Sequence, residues 1–149
     1  MISSGQRPEE RARIDRNIFV GTICDTLSRG ESVLLRVQGV SMLPWLREGE
    51  KVRILPSLGR PLHRGDIALF WRGPGHPVLH RILRVDAEQG IYECLGDSEN
   101  GPPERVSPSA VIGVVEPAIF GRAVYLALNP ARRWINRLCL KWGLRLRHG

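Results

Sequence analysis

The chain has 149 residues, of which 42% are hydrophobic and 25% are charged, a composition typical of one globular domain. This composition excludes disorder of the whole chain, and no stretch reaches the roughly 18 apolar residues that a membrane-spanning helix needs. All 15 acidic residues lie at or before Glu116, whereas seven of the 22 basic residues follow it and account for the net charge of +7. The sequence therefore predicts a neutral body followed by a basic tail.

The three cysteines, Cys24, Cys94 and Cys139, are too few and too widely spaced for a zinc site. Their odd number also disfavours a disulfide framework. We expect them to act as small apolar residues in a reducing compartment.

The first predicted element is a helix over about 8–29, within an N-terminal segment of residues 1–30. Pro8 and the two acidic residues after it suit the first turn, where the helix dipole is positive, and Gly30 suits its end. The apolar residues of the segment recur at helical spacing: Ile14, Ile18, Phe19, Ile23 and Leu27.

From residue 31 to 123 the hydrophobic period changes to two, the spacing of half-buried strands. Six strands are predicted, each bounded by turns that contain Gly, Pro or Asp: 32–37, 51–55, 66–71, 78–85, 91–95 and 110–115. Because no helix separates them, they predict a mainly β fold with a mostly antiparallel sheet or a small barrel.

The last segment, residues 124–149, is predicted to be a basic amphipathic helix that begins at Asn129-Pro130. Its apolar face either docks on the sheet or lies on an anionic membrane. The residues available for such a peripheral membrane contact are Trp134, Trp142, Arg133, Arg137 and Lys141. Nucleic-acid binding is not expected, because the tryptophans fall on the apolar stripe and do not alternate with the arginines.

Ser41 is the candidate nucleophile. It follows the first predicted strand, with Gly39 before it and a bend at Pro44 after it. Such a bend can project a hydroxyl and leave backbone N–H groups for an oxyanion. By itself, the position is more typical of a serine that only ends a strand.

The run Gly39-Val40-Ser41-Met42-Leu43-Pro44 resembles the G-x-S-M-x-P signature of signal peptidases and of the related LexA-type self-cleaving proteins. Five later segments resemble further motifs of the family, in the family's order: 48–52, 64–70, 79–82, 95–97 and 112–115. The first of them departs from the family pattern, because it carries Glu50 where Asp is usual. The resemblance covers about residues 30–118. It implies a small antiparallel β-barrel or coiled-sheet domain over 31–123, in which Gly39, Met42 and Pro44 shape the turn at the nucleophile.

His80 stands where the resemblance implies a general base. The bacterial and LexA-type members use a lysine, but neither Lys51 nor Lys141 matches its position. A histidine resembles the archaeal and endoplasmic-reticulum branch, and imidazole titrates near neutrality. From the residue alone, His80 could instead simply complete the face of a strand.

The resemblance implies Asp97, in the Gly96-Asp97 turn, as the acid that orients His80. The histidine branch usually has a further acid several residues later, where this chain has Gly101-Pro102-Pro103, and Glu104 is the nearby acid that can substitute. Asp97 alone is also a typical turn-forming aspartate. The backbone N–H of Ser41 is the implied oxyanion donor, and no metal or cofactor is implied.

The resemblance implies a serine endopeptidase that cleaves an extended polypeptide with small side chains near the cleaved bond. Neither a membrane anchor nor a DNA-binding domain is recognisable in residues 1–30, so a minimal, anchorless cytoplasmic member is expected. The tail leaves open a peripheral position on the inner face of the membrane. The alternative is a catalytically inactive module of the same fold that binds a peptide or a membrane. A self-cleaving switch is disfavoured by the lack of a matching lysine base.

Overall fold

The computed structural model describes residues 8–73 and 75–117. Within them, helix α1 spans Pro8–Ser28, and a short 3-10 turn, Pro108–Ala110, precedes the last strand. The described residues form seven strands: β1 (Val33–Arg36), β2 (Lys51–Pro56), β3 (Ile67–Trp71), β4 (Pro77–Asp86), β5 (Ile91–Leu95), β6 (Glu104–Val106) and β7 (Val111–Val115).

The strands form one antiparallel sheet in the order β1-β2-β7-β3-β4-β5-β6. β1 and β6 are its edges, and in the described part of the chain the sheet is not closed into a barrel. The prediction of a mainly β, antiparallel fold is confirmed. The hydrophobic period of two was compatible with an antiparallel sheet or a small barrel, and the described strands form a sheet that is not closed.

All six predicted strands are present, with ends that differ from the prediction by at most one residue. α1 ends at Ser28, one residue before the predicted end. The sequence reasoning missed β6, because its three residues are too few to show a period of two. This omission matters for the site, since β6 begins with Glu104.

Two clusters of buried side chains flank the sheet, and β3 contributes to both because successive strand residues face opposite sides. Leu69 packs in the first cluster with α1, and Ala68 and Phe70 pack in the second. The first cluster comprises Ile23, Leu27, Val37, Met42, Leu46, Val52, Ile54 and Leu69. The second comprises Leu62, Ala68, Phe70, Ile82, Cys94, Val106, Val111 and Val114.

Gly113 in β7 allows α1 to lie close to the sheet. A Cβ at this position would lie 2.6 Å from Ile54 Cγ2 and 3.3 Å from Leu27 Cδ1. The shorter distance, to β2, is one that real Cβ atoms essentially never show, and the distance to Leu27 of α1 is also tight, so the packing on this face of β7 favours glycine.

Cys24 and Cys94 are free thiols. Burial raises the pKa of the Cys94 thiol to about 12, so this group stays protonated and packs as an apolar residue. Cys139 and the predicted C-terminal helix over 124–149 lie outside the described residues. No helix in the described ranges combines the length and hydropathy needed to cross a bilayer.

Candidate active site

Ser41 lies in the turn that follows β1. The turn is opened by Gly39, whose φ of 79° is in the left-handed region that glycine adopts without strain. Met42 is buried in the first core cluster and anchors the turn. The Leu43–Pro44 peptide bond is cis, and the backbone N–H of Leu43 donates to the carbonyl of Val40 at 3.1 Å. The predicted turn-shaping residues therefore surround the candidate nucleophile.

The loop of residues 96–99, between β5 and β6, holds the Ser41 backbone. The N–H and Oγ of Ser98 donate to the Ser41 carbonyl at 2.9 and 3.0 Å. The same hydroxyl lies 2.9 Å from the carbonyl of Val40. A Cβ at Gly96 would lie only 2.7 Å from the Ser41 carbonyl oxygen, so the two segments pack with no room for a side chain between them.

His80 lies on β4 opposite Ala68, and its side chain is only 2% exposed. Its ring contacts Phe70 edge-on, with the centroids 6.0 Å apart, and Nδ1 lies 2.9 Å from Oε1 of Glu104. Burial lowers the pKa of His80, an effect that the carboxylates of Glu99 and Glu104 oppose. The imidazole is therefore neutral at neutral pH, the state that a general base requires.

Arg72 fixes the Glu104 carboxylate against His80. Its Nε donates to Oε2 of Glu104 at 2.7 Å, and its Nη2 donates to Oε1 at 2.5 Å. The hydrogen bonds from Arg72 lower the pKa of Glu104, so this carboxylate stays ionised. An ionised carboxylate can only accept, so Nδ1 of the neutral imidazole carries the proton and Nε2 keeps its lone pair.

Asp97, the acid first expected to orient His80, is instead bound by Arg81. Arg81 Nε lies 2.9 and 3.0 Å from the two Asp97 oxygens, and its Nη2 donates to Oδ2 at 2.6 Å. Both side chains are buried, at 4% exposure for Arg81 and 1% for Asp97. The geometry places Glu104, the acid named as a substitute, at Nδ1, and it places Asp97 in a separate ion pair.

The Arg81–Asp97 ion pair also lies next to the turn that carries Ser41, through Trp45. Arg81 Nη1 donates to the Gly65 carbonyl at 2.8 Å, and its guanidinium lies 6.0 Å from the centroid of the Trp45 ring. A cation over an aromatic face is held by the ring quadrupole. Arg81 therefore connects β4, Asp97 and the end of the turn that carries Ser41.

Ser41 and His80 both line a cavity of about 380 Å³. The cavity extends along the end of β1 and against α1. Most of its walls are apolar, because these elements contribute apolar side chains to it. Lining residues from these two elements and from the core include Phe19, Val20, Ile23, Leu35, Val37 and Leu79. The charged groups at the cavity are Arg36, Arg72 and Glu99.

The sequence reasoning missed Arg72 and Glu99. Arg72 could have been found from the hydrophobic period of two. Residues 68, 70 and 72 alternate onto one face of the sheet, and Ala68 and Phe70 on this face lie next to His80. Glu99 has no such signal, because it lies in a loop. No group of three His, Cys, Asp or Glu side chains in the described ranges is placed to hold a metal ion.

Comparison with known proteins gives no match to a family model and no significant match to a curated protein. Function is therefore inferred from the geometry of Ser41, His80 and Glu104 and from the motifs that these residues occupy.

Proposed function

We propose that this protein is a serine endopeptidase of the signal peptidase type, with Ser41 as nucleophile, His80 as general base and Glu104 as the acid that orients it. One observation carries the proposal. His80 is buried and neutral, its Nδ1 is held by Glu104 at 2.9 Å, and it lines the same cavity as Ser41.

In the proposed reaction, Ser41 Oγ attacks the carbonyl carbon of the scissile peptide bond while His80 Nε2 takes the hydroxyl proton. The oxyanion that forms accepts a hydrogen bond from the Ser41 backbone N–H. The imidazolium then donates its proton to the leaving amine, the C–N bond breaks, and an ester on Ser41 remains. A water molecule, deprotonated by the same Nε2, hydrolyses this ester and restores the serine.

The position of β1 supports an extended polypeptide as substrate. β1 is an edge strand, and the cavity is lined by its last two residues and by the segment 37–39 that leads from it toward Ser41. A peptide added beside this edge would form backbone hydrogen bonds and place alternate side chains in the apolar cavity. Because the chain resembles signal peptidases, we expect it to prefer substrates with small side chains near the cleaved bond.

A catalytically inactive peptide-binding module is the second candidate. It is favoured by the apolar walls of the cavity next to β1, since these can hold a side chain without any reaction at Ser41. The two candidates differ in whether Ser41 and His80 are needed for a covalent change in the peptide.

The test is mass spectrometry of a diverse peptide library incubated with wild type, Ser41→Ala and His80→Ala. His63→Ala is the matched control, because the His63 side chain is 59% exposed and does not line the cavity. We expect cuts by wild type and by the control that both site variants lose, with all four proteins folded by circular dichroism. Peptide binding without cuts by wild type would replace the peptidase with the binding module.

A further inference from the structure

Glu99 places a second carboxylate at His80, on the side of the ring that the reaction uses. Its Oε2 lies 3.6 Å from Nε2, whereas Glu104 contacts Nδ1. The proposed mechanism requires only Glu104, so the position of Glu99 needs its own explanation.

The backbone holds Glu99 in this position. Its N–H donates to the Gly96 carbonyl at 3.0 Å, and its Oε2 accepts from the Gly96 N–H at 3.1 Å. This is the same 96–99 loop that binds the Ser41 carbonyl through Ser98. The carboxylate is therefore fixed relative to both His80 and the nucleophile turn.

The 3.6 Å between His80 Nε2 and Glu99 Oε2 is longer than a hydrogen bond, as expected when two acceptor atoms face each other. While His80 is neutral, Nε2 and the carboxylate both carry lone pairs and cannot hydrogen-bond. When Nε2 gains a proton it becomes a donor, and Glu99 is the acceptor beside it. The contact therefore forms only in the protonated state.

The other charges that face His80 do not duplicate this role. Glu104 on β6 accepts from Nδ1 and is bound by Arg72, which follows β3. Arg72 is a cation and opposes protonation of the ring. No Arg or Lys in the described ranges lies within ion-pair distance of Glu99, although the charge of Arg72 interacts with it. Glu99 is therefore the carboxylate that faces Nε2, and Arg72 and solvent at this partly exposed side chain reduce its effect on the ring.

We propose that Glu99 is a positioning residue for the general base, which accepts the Nε2–H hydrogen bond of protonated His80 and so sets the pH at which the base is lost. At low pH this bond holds the imidazolium away from Ser41. The consequence for catalysis rests on the proposed peptidase function, whereas the contact itself does not.

The contact is tested by NMR titration of the imidazole of His80 in the full chain, with His80→Gln used to assign its signal. Glu99→Gln removes the charge but keeps an oxygen for the Gly96 N–H. We expect it to lower the pKa of His80 by about 0.5 or more. Glu88→Gln, in the exposed turn after β4, is the matched control and should leave the pKa unchanged. Equal pKa values in wild type and Glu99→Gln would overturn the proposal.

The role in the reaction is tested by the pH dependence of kcat/KM on a peptide that the wild type cleaves. In Glu99→Gln the acid limb should move to lower pH by the shift seen in the titration, while the plateau changes by less than about tenfold. An acid limb that does not move would overturn the positioning role. If the wild type cleaves no peptide, the peptidase proposal fails, and the titration still decides the contact between Glu99 and His80.

Discussion

His80 and Arg81 are neighbours on β4, and their side chains face opposite sides of the sheet because successive strand residues alternate. His80 lines the cavity that contains Ser41, whereas Arg81 binds Asp97 and lines a smaller cavity beside Trp45. Each has a carboxylate partner, Glu104 for one and Asp97 for the other. We therefore expect Glu104 to matter for reaction rate and Asp97 for stability.

Glu104→Gln should lower kcat/KM by on the order of 10²- to 10⁴-fold with little loss of stability, because the uncharged amide no longer fixes the tautomer of His80 or stabilises its imidazolium. Steady-state kinetics on a cleaved peptide measure this effect. Glu93→Gln, which removes a carboxylate that pairs with the exposed Arg84, is the control. Comparable rates in the two variants would contradict the role of Glu104.

Arg81→Ala should reduce the free energy of unfolding by about 3–5 kcal/mol, because it removes the guanidinium partner of a buried carboxylate. Arg84→Ala is the matched control on the same strand. Its side chain is 64% exposed, so losing its ion pairs should cost only about 0–1 kcal/mol. Urea unfolding of both variants measures the difference, and similar midpoints would show that the Arg81–Asp97 pair is not a stabilising contact.

Among the elements, the loop of residues 96–99 contacts the site at several points. It binds the Ser41 carbonyl through Ser98, places Glu99 at His80, and connects β5 to the strand that begins with Glu104. One short loop therefore connects the turn that carries Ser41 to the part of the sheet that carries His80. A displacement of about 1 Å in such a constellation is enough to slow a reaction severely.

Gly96→Ala should disturb this loop, because the new Cβ would lie 2.7 Å from the Ser41 carbonyl oxygen and 3.0 Å from Glu99 Cδ. We expect a loss of about 1–3 kcal/mol in stability and a fall of about tenfold or more in kcat/KM. Gly101→Ala, where no atom lies within 4 Å of the new Cβ, should change stability by less than about 0.5 kcal/mol. Equal behaviour of the two variants in unfolding and activity assays would contradict the tight packing at Gly96.

For the whole molecule, the charge asymmetry leads to a prediction about membranes. The basic residues after Glu116 account for the entire net charge of +7, and the tail also carries Trp134 and Trp142. Its structure lies outside the described residues, so the choice between docking on the sheet and lying on lipid stays a prediction from the sequence.

If the tail lies on lipid, the full chain should bind vesicles of anionic lipid, and Arg133→Glu/Arg137→Glu should weaken this binding more than tenfold, since each cation near the surface contributes about 1 kcal/mol. Arg60→Glu/Arg84→Glu reverses the same number of charges at exposed positions of the body and is the control. Co-sedimentation measures both. Equal binding of the two double variants would show that the tail does not mediate contact with the membrane.

The sequence by itself determined the helix, the strands with their ends, and the mainly β class, because hydrophobic periods of 3.6 and 2 are local properties. It also drew attention to Ser41 and His80 through the residues around them, and it named Glu104 as a possible acid. It favoured Asp97 over Glu104 as the orienting acid, and no local pattern separates the two, since both follow β5 within ten residues of each other.

Only the tertiary structure decided between these two acids. The pairing of β4 with β5 and of β5 with β6 sets Ile82, Cys94 and Glu104 in one row across the sheet, on the face of His80. The turn after β5 instead places the Asp97 carboxylate against the guanidinium of Arg81. Which carboxylate faces a base depends on strand register and on the path of a loop. Both are set by contacts between residues far apart in the chain, which no local pattern records.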